Sequence, residues 1–144
     1  MNVPKVNFKI SKHTLKSLSR CISSGLVESC HDCSEGGLSV ALAEMAFSGN
    51  LGMEIFLPQV KHKISNKNLR DDIILFSESN SRFIVEVAKE NQGLFEKMLN
   101  GTNFSVIGRL TDTDNFTVYG LNKKQIISIP IQVLKEAWQK PLRW

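Results

Sequence analysis

His31-Asp32-Cys33-Ser34-Glu35-Gly36-Gly37-Leu38 sets a polar cluster and a glycine pair directly before a strongly apolar helical run. Gly36 and Gly37 permit backbone angles and close approaches that side chains forbid, and the first amides of the helix that follows lack partners at the positive end of its macrodipole. A phosphate fits such a junction. The plainer reading is that Ser34 caps the helix and the glycines make a tight turn. Glu35 weighs against bound phosphate, because a carboxylate near the helix start satisfies the dipole and repels an anion unless a metal ion lies between them.

Working outward, Ser11 is expected to cap a first helix with Leu15, Leu18 and Ile22 on one face, ended by Gly25. A short strand over Ser29 to Cys33 leads into the glycine turn. The helix from about Gly37 to Ser48 carries Leu38, Ala41, Leu42, Met45 and Ala46 at helical spacing, with Val40, Ala43 and Phe47 making it apolar on most sides, so it is expected to be the central buried helix. Gly49-Asn50 closes it, and Met53, Ile55 and Leu57 alternate with Glu54 and Phe56 as a strand. Pro58 to Asn68 is polar and is expected to be a mobile loop, followed by a short helix within Leu69 to Phe76. Phe83, Val85 and Val87 mark a strand, and Leu94, Phe95, Met98 and Leu99 the face of a helix ended by Asn100-Gly101. Strands follow around Phe104 to Leu110, Asn115 to Tyr119 and Gln125 to Ile129, the last two joined by Gly120-Leu121-Asn122-Lys123. Pro130 suits the first turn of a closing helix that carries Leu134, Ala137 and Trp138 inward. These elements predict an α+β domain, a mixed β-sheet packed with helices.

With 144 residues, 42% hydrophobic and 22% charged, the chain is sized and composed as one globular domain over positions 1–144. No apolar run approaches the roughly 20 residues that span a bilayer, and the N-terminus has no apolar signal core, so no membrane is expected and the location is expected to be cytoplasmic. The net charge is +4 and the pI about 9.1, but the 18 Lys and Arg are scattered. Lys61, Lys63, Lys67 and Arg70 form the densest group, Asp71 and Asp72 follow at once, and no aromatic residues interleave. No nucleic acid is expected. Cys21, Cys30 and Cys33 form no disulfide framework. Cys30 stands too far before the helix for a redox pair, and His13 and His62 stand alone, so no zinc set is complete. No metal site is expected in this chain.

A second constellation, Ser77, Glu78, Ser79, Ser81 and Arg82, gathers hydroxyls, a carboxylate and a guanidinium at the mouth of a strand. It could hold a sugar phosphate, with Arg82 supplying bidentate contacts; alternatively, Glu78 and Arg82 simply pair. His31 is the only histidine beside an acidic residue, yet neighbours on a strand point to opposite faces, so His31 and Asp32 form no dyad. Asp32 or Ser34 is expected to fix the glycine turn through backbone amides. No nucleophile-base set can be assembled, and no catalytic residue is assigned. No Walker-type loop and no acidic cluster for several magnesium ions is present.

As a string, HDCSEGGLSVALAEMAFSGNLGMEI resembles the C-terminal domain of the ATP-dependent purine-pathway superfamily that includes aminoimidazole ribotide synthase, and within it the phosphoribosylformylglycinamidine synthases. The pattern His-Asp-x-Ser-(Asp or Glu)-Gly-Gly-Leu is met by His31, Asp32, Ser34, Glu35, Gly36, Gly37 and Leu38. Ser77-Glu78-Ser79-Asn80-Ser81-Arg82-Phe83 is similar to that family's Ser-Glu-Ser-Gln-x-Arg-Phe segment with Asn80 in place of Gln, and Ile107-Gly108-Arg109 to its late strand. The resemblance covers about Gly25 to Trp144. It implies one domain of a larger synthase, inactive alone, that joins glutamine-derived ammonia to formylglycinamide ribotide in purine biosynthesis. ATP and magnesium would be held mainly by a domain N-terminal to this one. Partners implied are the N-terminal ATP-binding domains of the same enzyme, a glutaminase and small accessory subunits; the end of the chain at Trp144 without a glutaminase domain fits the multi-subunit form. The family polypeptide is an internal duplication whose first-half Glu-Ser-Gln segment contacts the substrate. This chain resembles the second-half copy, so its segment belongs to an auxiliary nucleotide site or supports the fold. The candidate phosphate- or nucleotide-binding residues are therefore His31, Asp32, Ser34, Gly36, Gly37, Ser77, Glu78, Ser79 and Arg82. The alternatives are another superfamily member, such as aminoimidazole ribotide synthase, and a non-catalytic phosphate-binding or regulatory module.

Overall fold

The first helix, α1 (Phe8–Ser23), begins at Asn7, whose side chain accepts the Ile10 N–H at 3.1 Å. The cap therefore lies four residues before Ser11, which sits in the first turn with its own N–H donating to Asn7 O at 2.9 Å. In this computed structural model, which describes residues 5–65 and 69–143, Gly25 (φ +68°) turns the chain out of α1, its N–H donating to Ile22 O while Leu26 N–H donates to Cys21 O. The buried side chains of α1 are Ser17, Leu18 and Cys21. Leu15 and Ile22, expected on the inward face, are half exposed. Small Ser17 and Cys21 flank Leu18 along the line where α1 approaches the rest of the fold.

β1 (Ser29–Asp32) pairs antiparallel with β3 (Phe83–Glu86), His31 opposite Ile84 and Asp32 opposite Phe83, as a two-stranded sheet. Ile84 joins the main core, whereas Val85 and Val87 pack against a second cluster made by Cys21, Leu26, Phe95 and Leu99. The expected Phe83/Val85/Val87 face thus looks away from the main core, because β3 lies between two helical layers and both its faces are covered. α4 (Gln92–Met98) supplies Phe95 to that second cluster, while Leu94 stays exposed.

The main core is organised by α2 (Gly37–Gly49), which buries Leu38, Ala41, Leu42, Ala46 and Phe47 against α3 (Asp71–Phe76) and α5 (Ile131–Gln139). Asn50 in the left-handed region (φ 53°) closes it, its N–H reaching Ala46 O. Beneath lies a four-stranded mixed sheet in the order β4 (Gly108–Thr111), β2 (Gly52–Phe56), β5 (Asn115–Tyr119), β6 (Gln125–Pro130); β2 runs antiparallel to β4 and parallel to β5. The expected strand from Phe104 shrinks to β4, since Phe104 packs into the second cluster instead. The expected mobile loop is pinned in part: within it Val60 is buried and Ile64 packs on the core. Lys67 and the end of that stretch, Asn68, lie outside the described residues. Pro130 is the N-cap of α5 rather than part of its first turn. Ile131 is fully buried and Leu134 half-buried, but Ala137 and Trp138, expected inward, are exposed.

Candidate functional site

Gly37 is where the two motifs meet. It adopts φ +64°, and a Cβ there would stand 2.8 Å from Ser77 O and 2.9 Å from Phe76 C. Only glycine lets the start of α2 rest on the main chain at the end of α3. Gly36, also in the left-handed region (φ +75°), is the N-cap of α2, and its N–H donates to Glu78 Oε1 at 3.0 Å. One amide of the junction where a phosphate is expected from sequence is therefore engaged by a carboxylate from the second motif.

Ser34 does not cap the helix with its side chain. Its carbonyl accepts the Gly37 N–H at 3.1 Å, and its hydroxyl donates to Asp32 Oδ2. That hydroxyl is the main cause holding the Asp32 carboxyl below its ordinary value, with a backbone hydrogen bond second and the charge of His31 last; slight desolvation opposes them. Neither is Glu78 paired with Arg82. Arg82 Nη1 donates to Ser77 O at 3.1 Å and to Ser77 Oγ at 3.2 Å, while its own carbonyl accepts the Cys33 N–H at 2.9 Å. Ser81, held at φ 61°, donates its hydroxyl to Ser11 Oγ at 2.7 Å and so ties α1 to the same edge.

These contacts enclose an open cleft of about 700 Å³. Of the nine candidate binding residues, Asp32, Ser34, Glu78, Ser79 and Arg82 line it, joined by Glu35 and Ser81. Gly36, Gly37 and Ser77 lie behind that wall as its support. His31 faces a smaller adjoining hollow of about 310 Å³, shared with Asp32, Ser34, Glu35, Ala41 and Glu44. The cleft wall carries three carboxylates, Asp32, Glu35 and Glu78, against one guanidinium, Arg82. Its own field favours cations and hydroxyl donors, and an anion there needs positive charge from elsewhere. Among the described residues, no group of three or more His, Cys, Asp or Glu converges as a metal ion would require.

Two participants carried no signal in the reading of the motifs. His31 Nε2 lies 3.1 Å from Glu44 Oε2, and Glu44 Oε1 accepts the Trp138 indole N–H at 2.8 Å. Helical phase offers a hint for Glu44, which follows Ala41 by one turn of α2; nothing local points to Trp138. All three thiols are free, Cys30 exposed, Cys21 and Cys33 buried, and desolvation raises each above its ordinary value.

An α+β domain in which a glycine turn and a Ser-Glu-Ser segment share one cleft has direct relatives. The chain belongs to the family of AIR synthase related proteins, C-terminal domain, whose model matches residues 2–120. It is 39% identical over 141 residues to phosphoribosylformylglycinamidine synthase subunit PurL of Synechocystis, covering 94% of this chain and 17% of that protein. The same subunit of Methanococcus aeolicus is 34% identical over 137 residues, covering 95% of this chain and 18% of its own. The chain thus spans less than a fifth of the curated relatives it matches. Among solved structures, phosphoribosylformylglycinamidine synthase II of Thermotoga maritima superposes with a TM-score of 0.78 at 23% identity, over 92% of this chain and 22% of that one. E. coli HypE, a hydrogenase maturation protein, gives 0.64 at 14% identity over 81% and 39%. Both structural likenesses establish the fold.

Proposed function

We propose that this chain is the C-terminal domain of a PurL-type phosphoribosylformylglycinamidine synthase. The whole enzyme would use ATP to activate the formamide oxygen of formylglycinamide ribotide for attack by glutamine-derived ammonia, releasing ADP and phosphate. One observation carries the reading: two family motifs close on a single cleft through a hydrogen bond between Gly36 and Glu78, 42 positions apart. It is supported by identities of 32–39% to PurL subunits over nearly the whole chain and by the fold shared with T. maritima PurL, which has been solved with FGAR and with ATP.

In this reading the cleft is one wall of a nucleotide or ribotide site whose positive charge, including magnesium, arrives with ATP and a domain outside these 144 residues. Asp32, Ser34, Glu78, Ser79 and Arg82 face the ligand; His31, Gly36, Gly37 and Ser77 shape the wall. Asp32 and Glu78 are suited to accept from ribose hydroxyls, and Arg82 to meet a phosphate oxygen. A PurLQS structure exists for T. maritima, and a glutaminase and a small accessory subunit are the partners we assign here. The cytoplasm is the compartment that fits purine synthesis; among the described residues no helix is long and apolar enough to cross a membrane.

The test is to probe source cells with an antibody against the chain, then to assay the polypeptide it detects with formylglycinamide ribotide, ATP and ammonia. A band several times larger than 16.2 kDa with ATP-dependent formation of formylglycinamidine ribotide is expected. A large polypeptide without that turnover, or a 16 kDa band alone, would overturn the reading.

A further inference from the structure

The bonds that hold His31 join the edge of the cleft to the far side of the central helix. Its Nδ1 faces Asp32 O at 2.7 Å, and since a carbonyl can only accept, Nδ1 carries the hydrogen. Its Nε2 faces Glu44 Oε2 at 3.1 Å. The other Glu44 oxygen is taken by Trp138 Nε1–H at 2.8 Å. The indole is itself seated on Phe47, one turn beyond Glu44, with ring centroids 5.7 Å apart. Both ring nitrogens and both carboxylate oxygens are thus engaged, and a continuous path runs from α5 through α2 to the peptide between Asp32 and Cys33. That peptide carries the Asp32 side chain into the cleft, where it holds Ser34.

We propose that Glu44 and His31 are positioning residues for the Asp32–Ser34 edge of the cleft, locked by Trp138, so that α5, which contributes no lining residue, sets the geometry of that wall. Glu44 is suited to the task because a carboxylate can accept from two directions at once. It stands on the buried central helix with its side chain only 25% exposed, which limits the ways the pair can re-form with water. The path deepens the ligand-wall reading given above and rests on it for its purpose.

Nuclear magnetic resonance of the 15N-labelled full chain tests it without ligand or turnover. The Cys33 amide shares its peptide with the carbonyl that His31 grips, and the indole N–H of Trp138 must be told from that of Trp144 alone. E44A is expected to shift the His31 ring nitrogen signals, release the Trp138 indole N–H and shift the Cys33 amide. E44Q, which keeps an acceptor for the indole and a polar partner for the ring, is expected to restore most of these signals. W138F is expected to shift His31 and Cys33 although residue 138 is hydrogen-bonded to neither, whereas V133A, on an exposed part of the same helix, should move neither. If E44A fails to fold, E44Q and W138F decide the matter. A Cys33 amide unmoved by W138F, or moved equally by V133A, would overturn the proposal. A synthase assay that fails would remove the ligand-wall reading while leaving this result standing.

Discussion

At position 37 an alanine would meet two penalties at once. Holding a non-glycine residue at φ +64° costs about 1–3 kcal/mol, and the new Cβ would press on the Ser77 and Phe76 backbone, which cannot swing aside as a side chain end can. G37A should therefore destabilise the chain by more than the strain alone, read as a lowered urea midpoint, and should part the two motifs. Asp32 makes a prediction in pH. Its folded value is depressed, so its contact with Ser34 contributes stability above the ordinary carboxylate range and loses that contribution as pH falls through the depressed value. S34A should move the Asp32 carboxyl 13C titration upward, and the stability gap between S34A and parent should close on acidification; an unmoved midpoint would contradict the assignment. The thiols should be sluggish: Cys30 alkylates more slowly than a free cysteine at pH 8, and Cys21 and Cys33 react only after unfolding. The glycine pair was legible in the sequence because the freedom to take positive φ without strain belongs to glycine itself. The partners of the side chains around it were not, since Trp138 and Glu44 lie 94 residues apart and only the packing of α5 on α2 brings them together.

Single helices show where apolar periodicity informs and where it misleads. In α2 the pattern reads as helix and as buried, and it is both; Leu42 is 2% exposed. L42A should cost about 2–5 kcal/mol, measured by denaturant unfolding. In α1 the same kind of reading chose Leu15, Leu18 and Ile22, yet only Leu18 is buried. The approach of a neighbouring helix is governed by which side lets it come close, and Ser17 and Cys21 provide that side. L18A should therefore lose a few kcal/mol and L15A roughly 1 kcal/mol or less; equal losses would return Leu15 to the core. α5 repeats the lesson, for Ile131 at its first position is wholly buried whereas Trp138 is 47% exposed and is held by its hydrogen bond to Glu44 and its ring contact with Phe47.

Across the molecule, order along the chain was legible and partnership was not. Local pattern marked nearly every element, but the pairing of β1 with β3 and of β2 with both β4 and β5 joins segments far apart in sequence. The family model matches residues 2–120, yet the fold continues: β6 covers the free edge of β5, and Ile131 fills the core. A chain cut after residue 120 should lose cooperative thermal unfolding, a result that calorimetry would show directly. The placement of β2 has a further consequence during synthesis. Both of its neighbours are translated more than fifty residues after it, which at about 5–20 residues per second leaves roughly 3–13 s before Tyr119 is made. Through that interval the nascent chain carries an apolar strand with two unsatisfied edges, so the pace of the ribosome governs how long the future centre of the sheet stays open to the wrong partner.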